Sequence, residues 1–223
     1  MRGKYQFGLL FAAIAICGCQ SDEKQAPVQQ TAEKQTFLKM TCHVNFYRDT
    51  SIYVTEQEHL FNPASKSLQI SSKEPSGRFI WSLQDDHYTV NNLNSAKTKD
   101  NLYNKTFLQA IYYGMLSSAQ LITDEQVNEE ETVRIEGKWY IPYLLNKQDA
   151  KIRLMKNKAN DRFEQIILQK EDQIYQVICY NLRFDKDLDK NLPRTIDVFD
   201  ATNGLSSKHL LMKVQYHTAS VIN

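Results

Sequence analysis

The chain reads as an α+β domain: a strongly curved antiparallel sheet with an apolar helix packed in or over its concave face. Three observations predict this class. Apolar residues recur at every second position in run after run. Short turn-forming stretches separate the runs. One segment switches to helical spacing. In the first run, Leu38, Met40, Cys42, Val44 and Phe46 alternate with Lys39, Thr41, His43 and Asn45, the pattern of a strand with one buried face. "GRFIWSLQ" puts Phe79, Trp81 and Leu83 on one side. "VRIEGKWYI" does the same for Val133, Ile135, Trp139 and Ile141, with Gly137 in the middle, and reads as one strand. Pro142 follows, so this strand is expected to stop there or to lie at an edge. "RFEQIILQ", "QIYQVICYNLRF", "RTIDVF" and "LLMKVQYH" repeat the rhythm. Turn signals such as "NPAS", "EPSG", "KNKAND", "KED" and "TNG" lie between the runs, and such short connections favour antiparallel hairpins.

The exception runs from Asn104 to Ile122. Leu108, Ile111, Tyr112, Met115, Ala119 and Ile122 recur at three- and four-residue spacing, which predicts an amphipathic helix capped by Asn104 or Thr106. Gly114, Ser117 and Ser118 are weak helix formers, so this helix is expected to depend on a partner surface. An antiparallel sheet with one apolar helix must bury that helix against a sheet face.

The N-terminus carries a different signal. Arg2 and Lys4 precede an apolar run, Phe7 to Ile16, that is too short to span a bilayer. The run ends Ile16-Cys17-Gly18-Cys19, which resembles the bacterial lipobox, with Cys19 at the modified position. The resemblance implies that residues 1–18 are a lipoprotein signal peptide and that Cys19 becomes a diacylglycerol-bearing N-terminus. Each buried methylene adds about 0.8 kcal/mol, so two or three chains on Cys19 would hold the protein on a membrane. Gln20, in place of the Asp that often retains such proteins at the inner membrane, implies an outer-membrane address facing the periplasm. Residues 19–36 are polar and read as a tether, and 37–223 as the folded domain.

Removing the leader takes two of the 27 basic residues and none of the 26 acidic ones, so the formal charge passes from +1 to −1. This balance argues against a nucleic-acid partner. Cys42 and Cys179 remain in an exported chain, where they either form a disulfide or pack as two buried thiols. Only Gly77, Gly114, Gly137 and Gly204 lie beyond the leader, each isolated, so no phosphate-cradling loop is available. No G-x-S-x-G or H-E-x-x-H stretch occurs. "EQEH" (Glu56 to His59), "DDH" (Asp85 to His87) and "RFDKDLDKN" hold potential metal ligands but read as solvated loops. His43 and His217 fall on polar strand faces, where exposure is expected. No catalytic residue, metal or cofactor is expected.

The order of parts resembles a known family. An opening strand, "GRFIW", the apolar helix, "IEGKWYI", "DRFEQIILQKEDQIYQVICYNLRF", "LPRTIDVFDATNG" and "LLMKVQYH" together look like the LolA/LolB-like fold of lipoprotein carriers and related lipid-binding lipoproteins. The resemblance implies an incomplete antiparallel β-barrel around an apolar cavity, with helices as its lid. It implies lipid acyl chains or lipoproteins as partners and no enzymatic activity. Phe79, Trp81, Trp139 and Ile141 are then candidate cavity-wall residues, unless they are ordinary core. Leu108, Tyr112 and Met115 are candidate lid residues. The competing expectation is an assembly lipoprotein that uses the same domain as a scaffold for an envelope protein partner.

Overall fold

The strand alternation that opens the folded region produces β1 (Phe37–Arg48), which buries Leu38, Met40, Cys42, Val44 and Phe46. A computed structural model describes residues 37–62, 64–74, 77–84, 87–92, 104–120, 127–147, 149–186 and 189–222. Cys19, the leader and the tether lie outside the described residues, as do Asp85, Asp86 and Asp187 of the acidic stretches. After β1 come β2 (Ser51–Asn62), β3 (Ser67–Glu74), β4 (Gly77–Gln84) and β5 (His87–Asn92), each antiparallel to the one before. The helix α1 spans Lys105–Ser118. A second set follows: β6 (Asn128–Glu129), β7 (Val133–Ile135), β8 (Lys138–Asn146), β9 (Lys151–Asn157), β10 (Arg162–Lys170) and β11 (Gln173–Tyr180). A small separate hairpin, β12 (Arg183–Asp185) and β13 (Lys190–Leu192), precedes β14 (Thr195–Asp200) and the long β15 (His209–Ile222).

β15 joins the two sets by pairing with β1 on one side and β14 on the other. The strand order is β5-β4-β3-β2-β1-β15-β14-β11-β10-β9-β8-β6, with β7 also on β8. Among the described residues the sheet is not closed into a barrel, and α1 is the one α-helix. Its curvature follows from α1. The helix packs against β3 and β4 and also against β10, β11 and β14. β4 and β10 are seven places apart in the sheet, which is about 34 Å at the usual strand spacing. A helix about 10–12 Å across reaches both only if the sheet curls around it. Bulges at Thr41/Cys42, Val198/Phe199 and Phe163/Gln165 supply local bending.

Two strand readings are corrected. "VRIEGKWYI" is a hairpin, β7 to β8, not one strand: Glu136 and Gly137 both take positive φ (48° and 84°), the requirement of a tight two-residue turn. β8 does not stop at Pro142 but continues to Asn146. The carbonyl of Pro142 accepts from Glu130 N–H at 2.9 Å, on the side away from β9. A residue's N–H and C=O point the same way in a strand, so the missing donor falls in the gap between β6 and β7 and leaves the β9 ladder intact. "EQEH" is also not a loop. It lies in β2, with Gln57 and His59 buried and the two glutamates on the other face, so these groups do not converge.

Asn104 caps α1, its Oδ1 accepting from Phe107 N–H at 2.9 Å. Apart from its first turn, almost the whole helix is buried, including Leu108, Ile111, Tyr112 and Met115. These residues join Phe46, Phe61, Leu68, Ile70, Phe79 and Trp81 of the near strands and Ile166, Leu168, Val177 and Ile196 of the far strands in one core.

Candidate functional site

The concave side of the sheet is the first candidate, and α1 occupies it. Gly114 explains how the helix fits so deeply. A Cβ there would lie 3.1 Å from Cys179 Sγ on β11 and 3.2 Å from Ile196 Cδ1 on β14. A Cβ at this position would meet both side chains more tightly than an ordinary van der Waals contact, so glycine lets the helix backbone approach the wall without displacing them. Cys179 Sγ in turn faces the carbonyl of Gly114 at 3.6 Å.

The wall is not wholly apolar. His59 on β2 is completely buried, on the same inner face as Gln57 and Cys42. Its Nδ1 lies 3.0 Å from the Tyr216 hydroxyl and its Nε2 3.1 Å from Gln57 Oε1, with Cys42 Sγ at 3.4 Å. A carbonyl oxygen only accepts, so the network assigns the proton to Nε2, and Tyr216 O–H donates to Nδ1. Burial holds His59 neutral by lowering its pKa to about 3. Burial also pushes the Cys42 thiol far above its ordinary value, and the Cys179 thiol up to about 12. Cys42 and His59 therefore form no thiolate–imidazolium pair, although their spacing resembles a nucleophile with its base.

Cys42 and Cys179 are free thiols in this structure. They sit on β1 and β11 with β15 and β14 between. Three strand spacings, about 14 Å along the sheet, exceed the reach of a disulfide.

The second candidate lies at one end of this concave side, under the β12–β13 hairpin. Here a half-open cavity of about 200 Å³ is lined by Met40, Leu192, Pro193, Tyr216, Thr218 and Ala219 and by Arg183, Phe184, Asp185, Lys186 and Arg194. Met40, Leu192 and Tyr216 belong to the main core, so the apolar lining is continuous with the surface that α1 covers. Phe184 is half exposed (52%). Arg194 is fixed by its own backbone: its N–H donates to Asn181 O at 3.2 Å and its carbonyl accepts from Tyr216 N–H at 2.8 Å. Its Nη1 donates to the carbonyls of Tyr216 and His217, at 3.3 and 3.1 Å.

The structure distributes the sequence-predicted residues unevenly. Phe79 and Trp81 line the inner face of β4, stacked with ring centroids 5.5 Å apart and packed in the main core. Leu108, Tyr112 and Met115 are buried on α1, which packs against strands of both halves of the sheet. Trp139 is 54% exposed, with Arg134 5.9 Å from its ring, and Ile141 is half-buried; neither reaches the main core, although both share a strand face with Tyr143 and Leu145. Distance along β8 separates them from the hollow. His43 and His217 are exposed on the outer face, 2.8 Å apart across β1 and β15. The sequence reading missed His59, Gly114's contact, Tyr216 and the basic rim of Arg183, Lys186 and Arg194. A signal for the rim existed in the basic residues flanking "LP" and in "RFDK".

No protein-family profile matches the chain, and no curated protein matches it. Solved structures do. A LolA-superfamily protein from Nitrosomonas europaea superposes with a TM-score of 0.52 at 13% identity, covering 85% of this chain and 87% of the other. A putative outer-membrane lipoprotein-sorting protein domain from Vibrio parahaemolyticus gives 0.53 at 10% identity, covering 85% and 86%. At such identities the likeness is one of fold: an open, curled antiparallel sheet around a helix is LolA-like.

Proposed function

We propose that this chain is a non-enzymatic envelope lipoprotein, anchored through Cys19, that binds or transfers lipid or acylated protein in the concavity of its sheet. The observation that carries this reading is α1, an apolar helix held inside a sheet whose edges are not joined. A cavity of about 200 Å³ is below the roughly 300–1,000 Å³ of sites that enclose a whole small ligand. A long acyl chain that runs from this cavity into the main core therefore takes space that α1 now fills. The exchange is feasible because chain and helix offer the wall the same kind of apolar surface, worth roughly 25 cal/mol per Å² removed from water. Neutral thiols and a neutral buried imidazole favour binding over catalysis. The LolA-like fold supports the same reading, and its likeness to a putative outer-membrane lipoprotein-sorting protein domain supports an envelope location.

The test is extraction. A Cys19→Ser variant, which cannot be acylated, is purified from a bacterial envelope and extracted with organic solvent. Mass spectrometry is expected to find acyl-chain amphiphiles in stoichiometric amounts. An extract no richer than that of an unrelated exported protein would count decisively against the proposal. The scaffold reading would then take its place. It is favoured by one observation: an open groove of about 730 Å³ on the outer face, lined by Val133, Pro142, Met155, Ile167 and Leu205 beside Glu129 to Glu131.

A further inference from the structure

We propose that the cavity under the β12–β13 hairpin is a head-group site for phosphate-headed, single-chain amphiphiles. This rests on the lipid-binding reading above and names the chemistry of its ligand. Three cations, Arg183, Lys186 and Arg194, and one carboxylate, Asp185, line the cavity. Arg183 and Lys186 carry no ion pair among the described residues. Arg194 spends Nη1 on two backbone carbonyls, and its Nε and Nη2 donors make no hydrogen bond among the described residues. A planar guanidinium held by its backbone, with one edge unspent, suits a bidentate oxyanion. The surplus of positive charge at the rim steers an anion inward.

The apolar lining selects the other half of the ligand. Met40, Leu192, Pro193 and Ala219 offer no hydrogen-bonding side chain, so a fully polar anion leaves them unpaired with apolar surface. An acyl chain covers them and points towards the core that α1 fills. Head group and chain thus meet complementary groups in the lining of one cavity. A neutral amphiphile satisfies only the apolar lining, and inorganic phosphate only the cations.

The test is calorimetric titration of the full chain carrying Cys19→Ser, below the micelle concentration of each probe. Dodecyl phosphate is expected to bind at least tenfold more tightly than dodecyl maltoside. Arg194→Gln is expected to erase that difference. Because Arg194 also secures the backbone of β15, the pair Arg183→Gln/Lys186→Gln provides a second variant, expected to reduce the difference at least threefold. Equal affinity for phosphate and maltoside would overturn the head-group site while sparing lipid binding. Binding of neither amphiphile would overturn both. Inorganic phosphate binding as tightly as dodecyl phosphate would show a free-anion site and overturn the proposal too.

Discussion

His59 carries a consequence for acid stability. Its pKa is held near 3 against an ordinary 6.5 by burial. Between those values the unfolded chain binds a proton that the folded chain refuses. Stability from this residue is therefore complete above pH 6.5 and declines as pH falls, by up to about 1.4 kcal/mol per pH unit. Lowering pH from 7 to 5 should cost about 2 kcal/mol through His59 alone. Urea midpoints of the native chain and of His59→Gln, measured at both pH values, check this. The variant should lose about 1–3 kcal/mol at pH 7, because the Tyr216 hydroxyl loses its acceptor, and should show the smaller acid loss. Parallel pH dependences in the two proteins would mean that His59 is already protonated or solvated in the fold.

At the scale of elements, the contact of α1 with β11 is the point where mobility can be tested. The Cβ position at Gly114 lies 3.1 Å from Cys179 Sγ. That is close to the roughly 3 Å between a Cβ and the far sulfur of an S–S bond of about 2.05 Å. Gly114→Cys should therefore oxidise to a bond with the native Cys179 and staple the helix to the wall. If an acyl chain takes the place of α1, the oxidised variant should bind dodecyl phosphate at least tenfold more weakly, and reduction should restore it. Unchanged binding in the stapled protein would mean that the ligand enters without moving this part of the helix. The β12–β13 hairpin acts at the same scale: it carries Arg183, with Lys186 directly after β12, without belonging to the main sheet.

For the whole molecule, an open sheet and a single inserted helix separate a rigid part from a replaceable one. The sheet is tied by continuous ladders from β5 to β6. The helix is held by packing, one glycine contact and its Asn104 cap. Saturating dodecyl phosphate should therefore raise amide exchange in residues 105–118 while leaving β1, β15 and β14 protected, as mass-detected hydrogen exchange would show. Greater protection throughout would instead describe a ligand that adds to a fixed core.

Much of this architecture was written in local pattern. Alternation marked β1, β4, β10, β11, β14 and β15, three- and four-residue spacing marked α1, and the scarcity of glycine outside the leader excluded phosphate loops. β2 escaped because its alternation is disguised: Ile52 and Val54 are exposed at its start, while Thr55, Gln57 and His59 are buried farther along. The candidate site was less legible. Phe79, Trp81, Leu108, Tyr112 and Met115 could be named from spacing, because pleat and helical turn decide which face a side chain takes. Trp139 could not be placed, since a face says nothing about how far along a strand the core extends. The meeting of Cys42 and His59 with Tyr216, of Gly114 with Cys179, and of Arg194 with the chain's own β15 depended on strand register and on the curl of the sheet. Those are set by pairings between residues far apart in the chain, and only the tertiary structure decides them.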